Sequence, residues 1–206
     1  MLFSGGKLVT TILIATKNEG KAKEFRAFFE PRGFKVKTLN EMEQVPEIIE
    51  NGQTFEENAL LKAETLTNKL KMTVLADDSG LMVDALNGAP GIFSARYAGD
   101  HDDAANKVKL LHELKGVPTD KRTATFHTSL VVTSIARKPL IVEGNVKGFI
   151  LEKERGTDGF GYDPLFYLPS LKKTFAELTP AEKNKVSHRG KAVRALSVNF
   201  DDWWEK

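Results

Sequence analysis

The sequence predicts an α/β protein built on a mixed sheet, and three observations lead there. A β-branched, apolar run at 11–15 is punctuated by Asn18 and followed by Phe25, Phe28 and Phe29 at helical spacing, which reads as strand, turn and helix. Residues 122–135 alternate with β-branched side chains, Lys138 and Pro139 turn the chain, and 140–151 continue extended, which reads as a long antiparallel hairpin. With 206 residues, 41% hydrophobic and 28% charged, the chain can bury the core of one large domain or two intimate lobes, and is far from the balance of a disordered polypeptide.

The remaining elements follow in order. A second extended piece at 34–39 leads into an acidic loop at 41–51. Thr54 and Glu57 then read as a capping box that opens a helix carrying Ala59, Ala63, Leu66 and Leu70 on one face. Residues 74–76 form a short strand of the buried type that runs into Asp77-Asp78-Ser79-Gly80, and 87–91 is dense in turn residues. Ala105, Val108, Leu111 and Leu114 place a helix at 102–114. Thr179, with Pro180 and Glu182 behind it, is a second capping box, and Ala192, Leu196 and Phe200 mark a final helix. No internal repeat or dividing linker interrupts the chain, so 1–206 reads as one domain.

Several function classes are excluded by composition. Cysteine is absent, which removes disulfides, thiolate metal sites, redox pairs and cysteine nucleophiles together. Thirty Lys and Arg against 28 Asp and Glu leave +2, too little for global charge to recruit nucleic acid or an anionic membrane. No apolar run approaches the ~18 residues of a membrane span, and 1–10 lacks the apolar centre of a secretory signal. The expectation is a cytoplasmic protein with neither a membrane nor a stable nucleic-acid partner.

Charge is nevertheless uneven. Six acids and no Lys or Arg lie between Glu41 and Glu57, whereas 172–194 holds seven bases and two acids. Such a pair of segments suits a metal and a polyphosphate, although charge runs are more often solvated faces. Four more specific features stand out. The turn Thr16-Lys17-Asn18-Glu19-Gly20-Lys21 sits where a strand meets a helix N-terminus, whose free N–H groups attract anions. It is not a Walker sequence. Asp77 and Asp78, followed by Ser79, can hold a hard divalent cation or a water, or can be an Asp-rich turn or cap; Glu50 is one of six acids able to add a ligand. The loop 156–164 has three glycines for close backbone approach, Phe160 and Tyr162 as aromatic faces, and Asp163 as acceptor, or packs its aromatics into the core. Lys183 with Ser187, His188, Arg189 and Gly190 offers donors for phosphate or a purine edge, or is an exposed basic stretch.

Taken in order, these segments resemble the Ham1-like inosine triphosphatase family. The matching motifs are Thr16-x-Asn18-x-x-Lys21, Glu50-x-Gly-x-Thr-Phe-x-Glu-Asn-Ala59, Asp77-Asp-Ser-Gly80, Gly88-x-Pro-Gly-Ile-x-Ser-Ala-Arg-Tyr97, Phe160-Gly-Tyr-Asp-Pro164 and Ser187-His-Arg-Gly190, and they span nearly the whole chain. The resemblance implies a long twisted mixed sheet flanked by helices, with two lobes about a central cleft, and a homodimer. It implies hydrolysis of inosine, deoxyinosine and xanthosine triphosphates to monophosphate and pyrophosphate. It makes Glu50 and Asp78 the Mg2+ ligands and Asp78 also the proton acceptor, with Asp77 beside the metal or its waters. Thr16, Lys17, Asn18, Glu19, Gly20 and Lys21 fall on the triphosphate. Lys62, Ser79, Lys183, His188 and Arg189 match substrate-contacting positions, and Phe160, Gly161, Tyr162 and Asp163 the segment that stacks on and reads the base, with the Arg189 guanidinium expected in the base pocket beside Phe160. The segment 88–97 could line the cleft or an interface. Departures are small: Lys17 stands where small or polar residues are frequent, and about nine residues precede the first strand. Two other classes compete. A non-catalytic nucleotide-binding module has no need of Asp78 with Glu50, and an RNA-binding protein would interleave aromatics with the bases of 172–194, which this chain does not.

Overall fold

The computed structural model describes residues 10–99 and 102–205. The long start and the region tested for a secretory signal therefore lie almost wholly outside the described residues. A single seven-stranded sheet has the order β2-β1-β3-β4-β5-β6-β7. The strands are β1 (Thr11–Ile14), β2 (Lys35–Thr38), β3 (Thr73–Val83), β4 (Thr123–Ser134), β5 (Arg137–Ile150), β6 (Phe166–Leu168) and β7 (Lys173–Thr174). The helices are α1 (Glu19–Phe29), α2 (Phe55–Leu70), α3 (Asp103–Glu113), α4 (Pro180–Val186) and α5 (His188–Glu205). β1 runs parallel to β2 and β3, and every later pair is antiparallel, so the sheet is mixed as the sequence predicts.

Two boundaries differ from the sequence reading. The strand expected at 74–76 does not end at Asp77; it continues through Asp78, Ser79 and Gly80 to Val83, because β4 pairs with it from Val74 to Val83. Ladder pairing overrides the low strand preference of Asp and Gly. The hairpin turns at Ile135 and Ala136 rather than at Lys138-Pro139. Pro139 is accommodated inside β5 beside a register shift between Val132 and Ser134, where a missing N–H interrupts little. The first capping box is half made: Thr54 accepts from Glu57 N, but the Glu57 carboxylate accepts from Gln53 N instead of Thr54 N. The second, at Thr179 and Glu182, is complete.

Alternation along the strands places helices on both faces. One face carries Leu13, Val74, Ala76 and Val131 against Ala59, Ala63 and Leu66 of α2. The other carries two apolar clusters. Ile12, Ile14, Leu75, Leu130, Val132 and Val142 pack on Phe25, Phe28 and Phe29 of α1 and Ala192, Leu196 and Phe200 of α5. Leu81, Val83, Ala124, Phe126, Val146 and Ile150 pack beneath α3 and the 162–178 segment. Fully buried side chains of this size contribute ~1.5–3 kcal/mol each. Between the clusters, at the same strand parity, lie Asp77 and Ser79 of β3, Thr128 of β4 and Gly144 of β5. A polar row thus crosses the sheet between two dry regions.

The first turn of α5 rests on that row. A Cβ at Gly144 would fall 2.0 Å from His188 O and 2.7 Å from Ala192 N, so only glycine lets the helix backbone come this close. We expect Gly144→Ala to lower unfolding free energy by ~1–3 kcal/mol, the usual cost of overpacking, read from the urea midpoint. An unchanged midpoint would mean that α5 can lift away without loss.

His188 opens α5 and is 5% exposed, its ring stacked 4.8 Å from Phe126 at 11° and its Nδ1 buried without a partner. Burial, with the Arg189 charge next to it, holds the imidazole well below its ordinary pKa of 6.5. Below that pH the unfolded chain takes up a proton here that the native state refuses, so this residue's contribution to stability falls with acidification and recovers as pH rises through about 6.5. Urea denaturation between pH 5.5 and 7.5 should show a slope in wild type that His188→Gln reduces by about one proton, ~1.4 kcal/mol per pH unit at the acid end. Equal slopes would place the imidazole in water.

Candidate active site

β1 stops at Ile14, paired with β3 only from Thr73 to Leu75, and Ala15 N donates to Leu75 O as the chain leaves. Further along the same edge of β3, Met82 bridges Pro90 and Leu81 N donates to Ser94 Oγ. The stretch 76–80 between these contacts pairs only with β4. α1 leaves toward one face and α2 returns on the other, so this gap lies beyond the carboxyl end of β1 at the point where strand order reverses, a favoured place for ligands in open α/β sheets.

The turn after β1 is held by its own side chains. Asn18 N donates to Thr16 Oγ1 at 3.1 Å, and Asn18 Oδ1 caps α1 by accepting from Lys21 N at 3.1 Å. Lys17 and Glu19 face outward, fixed by Asn40 Nδ2, which donates to Lys17 O and Glu19 Oε1. Gly20 is exposed beside them. Lys21 turns inward, its Nζ 2.5 Å from Asp77 Oδ1.

Asp77 and Asp78 are neighbours in a strand and therefore point to opposite faces. The Asp77 carboxylate is 1% exposed and surrounded by donors: Lys21 Nζ, Ser79 Oγ at 2.6 Å, Arg189 Nε at 2.8 Å and, more weakly, Thr128 Oγ1 at 3.4 Å. Burial alone would neutralise it, but Arg189 and Lys21 outweigh burial and hold it well below the carboxylate range. The resemblance places Asp77 beside a metal or its waters; in the structure it lies on the face opposite Asp78 and is bound by protein donors. Both of its oxygens already accept strong donors.

On the other face Asp78 is mostly buried, and its Oδ2 has no hydrogen-bond partner. Burial pushes its pKa up to about 6, with Lys62 opposing and Glu50 reinforcing the shift. Lys62 Nζ lies 3.0 Å from Glu50 Oε1. Of the six acids in the 41–57 segment, Glu50 is thus singled out by its lysine and its effect on Asp78, while Glu41 caps Thr38 and pairs with Arg26. A buried, orphaned carboxylate oxygen beside a second carboxylate fits a hard divalent cation. Among the described residues no group of three or more Asp, Glu or His forms a complete cage. The donor set fits a cation that keeps waters or takes ligand oxygens, as Mg2+ does.

The 156–164 loop and the start of α5 flank the gap. Gly159, at φ +84°, lets the Asp163 carboxylate approach to where a Cβ would otherwise sit. Asp163 Oδ2 accepts from Phe160 N at 2.9 Å and Lys183 Nζ at 2.5 Å. Phe160 is 40% exposed, with Lys183 Nζ 4.9 Å and the Arg189 guanidinium 5.8 Å from its ring centre. Gly161 N donates to Asp103 Oδ2. Tyr162 departs from the expected aromatic pair: its ring is buried in the core and its hydroxyl donates to Ser94 O at 2.9 Å. The His188 ring likewise belongs to the core rather than to the open face.

The structure therefore gathers Lys21, Ser79, Arg189, Lys183, Asp163 and Phe160 around the Asp77 face, and Asp78, Glu50 and Lys62 on the opposite face of the same open edge. Charges act across it, since Asp77 and Lys21 both bear on Asp78. Two residues escaped the sequence reading. Glu24 stands one turn after Lys21, with a buried, unpartnered Oε2 lying 3.7 Å from Arg189 Nη1; its i+3 spacing from Lys21 was the available signal. Thr128 is opposite Ser79 in the ladder and only register reveals it.

Comparison with known proteins agrees with this architecture. The Ham1 family model matches residues 12–199. A dITP/XTP pyrophosphatase of Lactiplantibacillus plantarum is 55% identical over 196 residues, covering 95% of this chain and 97% of that protein. A protein of the same name from Geobacillus kaustophilus is 54% identical over 196 residues, covering 95% of this chain and 94% of that one. Among solved structures, the Staphylococcus aureus Ham1 protein superposes with a TM-score of 0.87 at 41% identity, covering 96% of this chain and 100% of that chain. Matched over nearly its whole length in sequence and in the path of its sheet, this chain belongs to the Ham1 family.

Proposed function

We propose that the protein hydrolyses non-standard purine nucleoside triphosphates, namely inosine, deoxyinosine and xanthosine triphosphates, to monophosphate and pyrophosphate with Mg2+. The whole chain, 1–206, acts as one two-lobed domain, on free nucleotides in the cytoplasm and as a homodimer, with no nucleic acid or membrane as partner. The observation that carries the reading is Asp78, a carboxylate with one buried, unpartnered oxygen, set beside Glu50 and Lys62 at an open strand edge. Relatives 55% and 54% identical that bear the name dITP/XTP pyrophosphatase support it. No helix among the described residues is long and apolar enough to cross a membrane.

In this reading the turn bearing Thr16, Lys17, Asn18, Glu19, Gly20 and Lys21 presents the α1 N-terminus to the phosphates, and Lys21 and Lys62 add charge from two sides. A divalent cation held by Glu50 and Asp78 supplies further neutralisation of the phosphate oxygens when bound. Asp78, raised to about 6 in the absence of a cation, is mostly ionised at neutral pH and so can ligate the cation and accept a proton from an attacking water. Attack falls on the α-phosphorus, so pyrophosphate leaves. Phe160 offers its exposed ring to the purine, while Lys183 and the Nη groups of Arg189 favour a 6-keto acceptor over the 6-amino group of adenine.

The deciding experiment incubates the protein with inosine, deoxyinosine, xanthosine, guanosine and adenosine triphosphates plus magnesium and identifies the released phosphate. Pyrophosphate with inosine monophosphate is expected. Orthophosphate release, or tight binding without turnover, would refute the reading and favour a different phosphatase or a nucleotide-binding module. Asp78→Asn should lower kcat by ~10²–10⁴ while leaving the urea midpoint near wild type, since an amide accepts no proton from water. Glu50→Gln should raise the magnesium concentration for half-maximal rate and regain part of the loss at high metal; an unchanged magnesium curve would remove Glu50 from the cation site.

A further inference from the structure

Two cations from opposite ends of the chain meet on one buried carboxylate. Lys21, on α1, and Arg189, on α5, both bind Asp77. The three side chains are 18%, 3% and 1% exposed, the lysine the most open of them, while the guanidinium borders the open side at the exposed Phe160 ring, 5.8 Å from its centre. Asp77 itself is too enclosed for a nucleotide to touch. Ser79 and Thr128 complete its shell and bond to each other at 2.7 Å, so the carboxylate cannot swing without breaking a network that spans β3 and β4. Arg189 is constrained further by Ser79 Oγ at 3.4 Å from Nη2, Glu24 Oε2 at 3.7 Å from Nη1, and the Phe160 ring.

The geometry points to Asp77 as a positioning residue that fixes Lys21 and Arg189 together, so that the phosphate-side and base-side contacts of one substrate are set by a single buried carboxylate. The inference rests on the proposed triphosphate-hydrolysing function. Two long, flexible cations brought side by side repel one another. With a shared counter-ion each keeps one orientation, and the trio carries a net positive charge toward an anionic ligand. Asp77 and Asp78 thus divide their work by strand parity, one saturated and orienting, the other with an unpartnered oxygen.

The test is Asp77→Asn, which preserves volume but turns a donor amide toward a cation. A merely structural role lowers stability and slows every substrate alike. Positioning of both cations predicts more: kcat/KM for inosine triphosphate falls by about tenfold or more, and the inosine-to-adenosine preference narrows by about fivefold, because phosphate and base contacts are disturbed together. In a Lys21→Ala/Arg189→Ala background, adding Asp77→Asn should cost less than about threefold, since nothing remains to position. A full tenfold cost there would mean direct action and would overturn the proposal, as would an unchanged preference in the single variant. A readout independent of turnover is the Arg189 Nε–H resonance in ¹⁵N NMR, expected to be protected from exchange in wild type and lost in Asp77→Asn; persistence in the variant overturns the clamp. Thr128→Val, which removes only the outer hydroxyl, should produce the same changes in milder form and serves if Asp77→Asn does not fold. If wild type releases no pyrophosphate from any triphosphate, the functional reading fails, while the NMR signal still decides whether Asp77 holds Arg189.

Discussion

β1 is four residues long and β3 is eleven, and the architecture of the candidate site depends on that difference. Where β1 ends, one edge of β3 loses its neighbour until the 90–94 segment covers it again. A strand edge presents side chains of both faces to the same space. This gap can therefore draw on α1 and α5 from one side of the sheet and on α2 from the other, which no fully paired central strand would allow. The chain reversal that creates the gap is also what places the α1 N-terminus beside it.

The polar row across the sheet is the second constraint. Asp77, Ser79 and Thr128 lie between two apolar clusters on one face; Asp77 and Thr128 are almost completely enclosed and Ser79 is half-buried. Such groups are tolerable only when bonded, and they bond to one another and to Lys21 and Arg189. Gly144 continues the row as a space rather than a side chain, and the backbone of α5 fills it. The helix that delivers Arg189 is thereby seated by the same row that receives its guanidinium.

Adjacent carboxylates of one dipeptide stand in opposite environments. Asp77, flanked by two cations, stays ionised despite burial, whereas Asp78, buried beside Glu50, is raised to about 6. Divergent environments for neighbouring acids are a general way to separate an orienting charge from a proton acceptor. Here the two environments differ because of the two-residue period of a β-strand.

Local signals in the sequence determined the mixed α/β class, the helix at 102–114, the complete cap at Thr179 and the cluster of motifs that marks the Ham1 family. These depend on residues close in the chain, such as the phenylalanines of α1 or the Thr179–Glu182 pair, whose interactions need no distant partner. What the sequence could not decide was set by contacts between remote segments. Asp77 to Gly80 read locally as a cation or water site or as an Asp-rich turn or cap following a short strand, and became strand only because β4 lay alongside. Tyr162 looked as available to a base as Phe160 until Ser94, 68 residues away, claimed its hydroxyl. Arg189 and Lys21 gave no sign of sharing a partner, since the carboxylate that joins them lies 112 and 56 residues from each. Burial and register are properties of the assembled sheet, and they alone determined which of two neighbouring aspartates is saturated by donors and which keeps an unpartnered oxygen.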